Sequence, residues 1–179
     1  MPSFNQADFL AAAIESVLNQ GYPDHELIVM DGGSEDGSVE VLEEYSAGIA
    51  YWESEKDDGQ SDALNKAFRR VTGDIVGWLN SDDSYEPGTF EAVAQAFSDD
   101  RTKIAMSSRF GMIDKSGECF EIKENSHVDH ETLIRYWATN GMTMNQPSVF
   151  FRSELIRPLS PVLDVSLDYA MDYDLWLRM

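Results

Sequence analysis

The alternation of short apolar runs with amphipathic helical stripes over the first 100 residues most constrains the fold of this chain. Three apolar runs have the length of buried strands, and a stretch with helical spacing follows each of them. The runs are ELIVMD (26–31), IAYWES (49–54) and DIVGWL (74–79). Such alternation with short connections predicts a parallel β-sheet sandwiched by helices. Ligands of such sheets bind at the carboxyl ends of the strands.

Polar clusters follow each of these predicted strands, at 31–34, 55–58 and 80–83. We therefore expect the three clusters to gather at one edge of the sheet. The last cluster sets Asp82 beside Asp83 directly after an apolar run. Repulsion between neighbouring carboxylates has to be offset by a cation, a hydrogen-bond network or solvent. The alternative is a simple turn, since Asn, Ser and Asp are common turn residues.

Composition excludes several classes of protein. The chain has 33 acidic and 13 basic residues, so we expect no nucleic-acid partner, because phosphate binding needs a basic face. No apolar stretch approaches the ~20 residues of a transmembrane helix, and the first residues lack the features of a signal peptide. The single cysteine, Cys119, fits a reducing compartment. These features favour a cytoplasmic protein.

The second half has a different pattern, typical of an α+β arrangement packed on the first half. The pattern over 104–122 indicates a hairpin with a turn at 114–117. Further along, it indicates a helix at 129–137, a strand at 148–152 and the start of a helix at 172–179. We expect one domain over 1–179. Because little precedes the turn-like SFN and the last helix has barely begun, we also expect a chain truncated at both ends.

Several segments together resemble the conserved blocks of the family 2 glycosyltransferases. The opening block is PSFNQADFLAAAIESVLNQGYPDHELIVMDGGSEDGS, the middle blocks are SEKDDGQSDALNKAF and TGDIVGWLNSDDSYEPG, and the late ones are NQPSVFFR and MDYDLWLRM. The resemblance covers nearly the whole chain and is strongest to the branch that makes bacterial polysaccharides and cell-surface glycans. It implies a GT-A fold, a Rossmann-like, mainly parallel sheet flanked by helices, with a mixed α+β C-terminal half. Residues 1–100 would bind the nucleotide sugar and 101–179 would face the acceptor.

The resemblance implies a divalent metal at the paired carboxylates. Asp83 would bind Mn²⁺ or Mg²⁺ bridging the donor diphosphate, while Asp82 faces the ribose or the sugar. Hard oxygen ligands suit these ions, which commonly use one or two carboxylates and phosphate oxygens. Asn80 stands where many relatives carry a further aspartate.

The resemblance also assigns residues to the nucleotide. Asp31 would hold the base, commonly uracil, and Pro2 and Ser3 would line the same pocket. Gly32 stands where the family often has aspartate, which leaves the identity of the base open. The alternative for Asp31 is a carboxylate that accepts amide hydrogen bonds from its own turn.

Three residues after the next predicted strand would lie near the donor. They are Asp57, Gly59 and Asp62. Gly59 lets the backbone approach a ligand closely. Asp62 suits the positive N-terminal end of a helix equally well.

Asp172 is the expected general base. MDYDLW resembles the family's E-D-x-x-x-W block, with Met171 in place of the acidic residue. Asp172 would take the proton of an acceptor hydroxyl as that oxygen attacks the anomeric carbon, inverting its configuration. The alternative is an aspartate that caps the helix N-terminus. Asp174 lies about 200° around the helix and cannot face the same cleft.

The acceptor side is less defined. Gln146 is a candidate for contact with donor or acceptor, or a structural amide, and Trp137 is a candidate for stacking on an acceptor sugar, or a core aromatic.

The expected activity is transfer from a UDP-sugar or a similar donor to a hydroxyl of a glycan or lipid-linked acceptor, at the inner face of the membrane if the acceptor is a lipid. One alternative is a non-catalytic nucleotide-sugar-binding domain, which the Met171 substitution keeps open. A sugar nucleotidyltransferase is less favoured, because PSFNQADF lacks a basic glycine-rich loop.

Overall fold

The structure is a computed structural model that describes residues 1–114, 116–124, 130–135 and 144–179. The strands are β1 (Pro2–Ser3), β2 (Ile28–Asp31), β3 (Tyr51–Ser54), β4 (Ile75–Gly77), β5 (Ala105–Ser107), β6 (Phe110–Ile113), β7 (Cys119–Lys123) and β8 (Val149–Arg152). The helices are α1 (Ala7–Leu18), α2 (Ser38–Tyr45), α3 (Gln60–Phe68), α4 (Thr89–Asp99), α5 (His130–Ile134) and α6 (Met171–Arg178). Short 3₁₀ turns at Gln146–Ser148 and Ser153–Leu155 flank β8.

The N-terminal part forms the predicted parallel sheet. Its order is β1-β2-β3, with Pro2 opposite Met30 and Val29 opposite Trp52. All four residues of β2 are buried, because helices cover both faces of the sheet. Val29 packs with α1 and α2, whereas Ile28 and Met30 pack with α3. Alternate side chains of β2 therefore pack into two separate apolar layers, one on each face of the sheet.

The third predicted strand does not pair in that parallel sheet. β4 pairs antiparallel with β8, which also pairs with β5, in the order β4-β8-β5. Gly77 lies opposite Phe150, and a Cβ at Gly77 would lie 2.6 Å from the Phe150 ring. The absence of a side chain at Gly77 therefore lets the aromatic strand approach. The local pattern of 74–79 could not indicate a partner that arrives from the second half of the chain.

The remaining elements largely follow the sequence. β6 and β7 form a hairpin around the predicted turn, where the Gly117 N–H donates to the Asp114 carbonyl at 2.9 Å. The start of the predicted hairpin differs, because β5 pairs with β8 instead. α5 covers part of the helix expected at 129–137 and ends before Arg135, which is in a turn, while residues 129, 136 and 137 lie outside the described ranges. In those ranges, no helix combines the length and the apolar character needed to cross a bilayer.

The largest apolar cluster joins the two halves of the chain. Leu64 and Phe68 of α3 pack in it with Phe151 of β8 and Leu175 of α6. Trp176 stacks on Trp78 with 6.0 Å between the ring centroids. This packing fixes the N-terminus of α6 relative to α3 and to the segment that follows β4.

Candidate nucleotide-sugar site

A cavity of about 940 Å³ lies where β1, β2, β3 and β4 end. Its wall comes from the segment that follows each of these strands, so the structure brings the polar clusters together as the sequence predicted. The lining residues are Pro2, Ser3, Phe4, Asn5, Gln6, Gly32, Gly33, Glu35, Lys56, Asp57, Gly59, Gln60, Ala63, Asn80, Ser81 and Asp82. A volume of this size is within the range of small-molecule sites.

Asp31 is buried behind this wall, and its own turn saturates the carboxylate. Oδ2 accepts from the Gly33 and Ser34 N–H groups, at 3.1 and 2.8 Å, and from the Ser54 hydroxyl at 2.6 Å. Oδ1 accepts from the Ser34 hydroxyl at 2.5 Å. This is the alternative that the sequence left open, an aspartate bonded within its turn. These bonds hold the backbone of Gly33 and Ser34, and Gly33 lines the cavity.

Glycine stands at position 32, where the family often has aspartate, and the space around this position is limited. A Cβ at this position would lie 3.1 Å from both carboxylate oxygens of Asp57 and 3.2 Å from the Phe4 ring. Asp57 therefore lies next to the space that a side chain at position 32 would need. Its Oδ1 also accepts from the Gly59 N–H at 2.9 Å, which shapes the turn before α3.

Gly59 and Asp62 contribute differently to the start of α3. Gly59 has a φ of 99° with nothing near its missing Cβ, so its conformation and not the space requires glycine. Asp62 accepts from the Asp58 N–H at 3.4 Å and pairs with Lys66 at 3.1 Å. It is not among the cavity-lining residues, and its bonds match the capping alternative.

Pro2 and Ser3 line the cavity as expected. Ser3 is only 5% exposed, and its hydroxyl has no hydrogen-bond partner among the described residues. A buried hydroxyl without a partner is costly, so Ser3 is a strained point next to the cavity.

The paired carboxylates differ in exposure. Asp82 is exposed on the cavity wall, while Asp83 is half-buried beside it and is not a lining residue. The pKa of Asp83 is raised to about 6, first by burial and then by the charge of Asp82. The Asn80 side chain acts in the opposite direction and lowers this pKa. The two carboxylates thus repel each other in the way that the sequence suggested.

Asn80 is held by amide hydrogen bonds on both sides. Its Oδ1 accepts from Gln60 Nε2 at 2.7 Å and from the Trp78 indole at 3.2 Å. Its Nδ2 donates to Gln146 Oε1 at 3.0 Å, and Gln146 Nε2 donates to the Trp78 carbonyl. Sequence reasoning missed Gln60, which no spacing rule marks. It also missed Lys56, a basic residue that lines the cavity.

The donor set suits a hard divalent ion. Among the described residues, no group of three or more His, Cys, Asp or Glu side chains could hold a metal. Asp82 and Asp83 would therefore supply at most two carboxylates, which fits Mg²⁺ or Mn²⁺ completed by phosphate oxygens and water. The raised pKa of Asp83 also fits, because a cation there would relieve the repulsion between the two carboxylates.

Asp172 lies in the first turn of α6, outside the set of cavity-lining residues. The N-cap residue is Ala170, so Asp172 does not cap the helix, and its Oδ1 accepts from the neighbouring Tyr173 N–H at 2.7 Å. Met171 connects this turn to the cavity, since its sulfur accepts from the Ser61 hydroxyl at 2.8 Å, next to Gln60. Asp174 pairs instead with Arg178 at 2.7 Å, so the two carboxylates diverge as predicted.

The structure describes one of the two residues expected on the acceptor side. Gln146 is 9% exposed and bonded within the protein at both ends of its amide, which is the structural alternative. Trp137 lies outside the described residues.

Comparison with known proteins identifies the family. The model of Glycosyl transferase family 2 matches residues 1–159. An uncharacterized glycosyltransferase of Rickettsia typhi, RT0329, is 28% identical over 99% of this chain and 56% of its own length. S. aureus TarS 1-349 in complex with UDP-GlcNAc superposes with a TM-score of 0.75 at 19% identity, covering 99% of this chain and 51% of that one.

A further structure is the Pyrobaculum calidifontis mannosyltransferase PcManGT in complex with GDP-Man and Mn²⁺. It has a TM-score of 0.66 at 20% identity, covering 96% of this chain and 47% of that one. The chain spans about half the length of these relatives. Its fold is GT-A, and the chain belongs to glycosyl transferase family 2.

Proposed function

We propose that residues 1–179 form the catalytic domain of an inverting, metal-dependent glycosyltransferase. The observation that carries this proposal is the cavity at the carboxyl ends of four strands, with Asp82 on its wall and Asp83 next to it. The family match and the two donor-bound neighbours support it.

The donor is a nucleoside-diphosphate sugar, with UDP as the favoured nucleotide. TarS 1-349 has been solved with UDP-GlcNAc and PcManGT with GDP-Man, which supports a donor of this class. In this chain the base would contact Pro2, the unpaired Ser3 hydroxyl and the Gly32–Gly33 backbone. Asp31 acts indirectly, because its carboxylate accepts from the Gly33 and Ser34 N–H groups and so holds this turn in place.

Asp83, with Asp82, would hold Mn²⁺ or Mg²⁺ against the diphosphate. Such an ion stabilises the negative charge that develops on a leaving nucleoside diphosphate. Lys56 on the same wall adds a positive charge close to the phosphates. PcManGT was solved with Mn²⁺, which supports a divalent ion as cofactor.

Asp172 takes the proton in the transfer step. Its Oδ1 accepts one hydrogen bond, from the Tyr173 N–H, so the carboxylate keeps further lone pairs that can accept the proton. The acceptor oxygen forms a bond to the anomeric carbon as the bond from that carbon to the diphosphate breaks, and the electron pair leaves with the nucleoside diphosphate. Attack from the opposite face inverts the configuration, and positioning of donor and acceptor supplies much of the acceleration.

The acceptor is a hydroxyl of a glycan or of a lipid-linked sugar, in bacterial cell-envelope polysaccharide synthesis. Residues 101–179 would face it, as the counterpart of a donor-binding half at 1–100. A lipid-linked acceptor would bring this cytoplasmic domain to the inner face of the membrane as a peripheral protein.

A non-catalytic nucleotide-sugar-binding domain is the second candidate. Met171 favours it, because this residue replaces the acidic one of the family block and bonds to Ser61 through its sulfur. Binding alone does not distinguish the two, whereas sugar transfer does.

The proposal is tested by thermal shifts with UDP, dTDP, GDP and CDP, each with Mn²⁺ and with EDTA. A ligand at 100 times its Kd adds about 2.7 kcal/mol to the free energy of unfolding. At roughly 2–4 °C per kcal/mol, we expect one nucleotide to raise the Tm by more than about 5 °C, and only with the metal. No shift with any nucleotide contradicts the proposed site. A shift without transfer from the matching sugar nucleotide favours the binding domain.

A further inference from the structure

Three amides form a chain of hydrogen bonds centred on Asn80, three residues before Asp83. We call Gln60, Asn80 and Gln146 the amide clamp. Gln60 lies at the first position of α3, Asn80 follows β4, and Gln146 opens the 3₁₀ turn before β8. Each is far from the others in sequence, and Gln146 is 66 residues from Asn80.

The pairing of β4 with β8 explains why Gln146 reaches Asn80. In an antiparallel pair, residues that follow one strand run beside those that precede the other. Because Gly77 pairs with Phe150, the segment after Gly77 lies next to the segment before Val149. Gln146 uses both ends of its amide there, since Nε2 donates to the Trp78 carbonyl and Oε1 accepts from Asn80.

The bonds of Asn80 fix the orientation of its amide. Its oxygen receives two donors, from Gln60 and from the Trp78 indole, while its nitrogen donates to Gln146. An aspartate at position 80 could accept from Gln60 and Trp78 but could not donate to Gln146. The clamp as built therefore requires asparagine at this position.

Asn80 in turn contacts Asp83 through the backbone. Its carbonyl accepts from the Asp83 N–H at 3.2 Å, which closes the turn that carries Asp82 and Asp83. Hydrogen bonds that orient a ligating group commonly change metal affinity 10–100-fold when they are removed.

We infer that Gln146 is a positioning residue of the metal site, which acts with Gln60 by holding Asn80, and with it the turn that presents Asp83. The inference rests on the proposed function, because it requires Asp83 to bind a divalent ion. It gives Gln146 a role away from donor and acceptor, and it assigns Gln60 a role at the metal site.

The test measures the Kd for Mn²⁺ from the paramagnetic resonance signal of the free ion, without nucleotide. Gln146→Met keeps the length of the side chain and removes both hydrogen bonds, and we expect the Kd to rise about tenfold. Gln60→Met provides a second variant that does not endanger the fold, because Gln60 is exposed, and we expect a rise of about threefold or more.

Two comparisons separate positioning from general destabilisation. In an Asn80→Ala background, adding Gln146→Met should change the Kd by less than about twofold, because the residue acts through Asn80. Asn65→Leu is the matched control, since Asn65 is another buried amide with two bonds, both to Leu163, and it should lose stability while keeping Mn²⁺ affinity.

The outcomes are distinguishable. An unchanged Kd in Gln146→Met, an equal loss in both backgrounds, or an equal loss in Asn65→Leu overturns the inference and leaves the proposed metal site standing. A wild-type protein that binds no Mn²⁺ overturns the metal site, and this inference with it.

Discussion

The sulfur of Met171 accepts a hydrogen bond from the Ser61 hydroxyl at 2.8 Å, which joins the first turn of α6 to the first turn of α3. Both residues are buried. The residue before the expected base is thus an apolar anchor that fixes Asp172 relative to the cavity.

Truncating this anchor should destabilise the protein. Met171→Ala removes buried volume between the two helices, and we expect the free energy of unfolding to fall by about 2–4 kcal/mol in urea denaturation. Met112 is 39% exposed in the hairpin, so Met112→Ala should change it by less than about 0.5 kcal/mol. Equal effects of the two substitutions would contradict the anchoring role.

Asp172→Asn should abolish transfer while nucleotide binding survives. A general base contributes roughly 10²–10⁴-fold, so kcat should fall by that factor in a steady-state assay of the sugar nucleotide that binds. Asp174→Asn is the control two residues away, and it removes only the surface pair with Arg178, so kcat should remain close to the wild-type value. Transfer that persists in Asp172→Asn would exclude this residue as the base.

Asp83→Asn should stabilise the metal-free protein above pH 6. The folded state raises the pKa of Asp83 from 3.8 to about 6, so it holds more protons than the unfolded state between these values. Stability therefore falls as the pH rises through this window, and the loss is complete above pH 6. Removing the charge of Asp83 should increase the free energy of unfolding by about 1 kcal/mol at pH 7.5, after allowance for the partial exposure of this side chain.

The measurement is urea denaturation with EDTA at pH 4 and pH 7.5. We expect the variant and the wild type to differ little at pH 4 and to diverge at pH 7.5. A gain that is equal at both pH values would mean that ionisation of Asp83 is not its cause.

Mn²⁺ affinity should depend on the same ionisation. Because the ion binds the deprotonated carboxylate, the Kd should rise as the pH falls through about 6. Asp82→Asn removes a like charge that raises the pKa of Asp83. The midpoint of the pH dependence of Mn²⁺ binding should therefore lie at lower pH in this variant than in the wild type. A titration of Mn²⁺ binding from pH 5 to 8 measures both curves, and coincident midpoints would contradict the coupling of the two carboxylates.

Gly32→Asp should destabilise the protein, and the size of the effect should depend on the presence of the Asp57 carboxylate. The new side chain would meet the Asp57 carboxylate at close range, adding overlap and charge repulsion, and we expect a loss of about 1–3 kcal/mol. In the double variant with Asp57→Ala most of this loss should be recovered. Additive losses in denaturation would show that the two positions do not compete for the same space.

Much of the donor-side architecture could be predicted from local patterns. The periods of strand and helix over 1–100 identify β2, β3, α1 and α3, and the rule for strand ends brings the polar clusters to one cavity. For the clusters after β2 and β3 these features depend on residues close in sequence and on one general property of parallel sheets. The cluster after β4 reaches the same cavity although β4 pairs antiparallel with β8.

The sequence by itself determined the alternation of strands and helices, the polar edge of the sheet and the adjacent carboxylates. Only the tertiary structure decided that β4 pairs with β8, that Ser54 completes the shell of Asp31, and that Gln146 reaches Asn80. Each of these contacts joins residues 23 or more positions apart. Local periodicity sets which face of an element is apolar, whereas the choice of a distant partner follows from how the whole core packs.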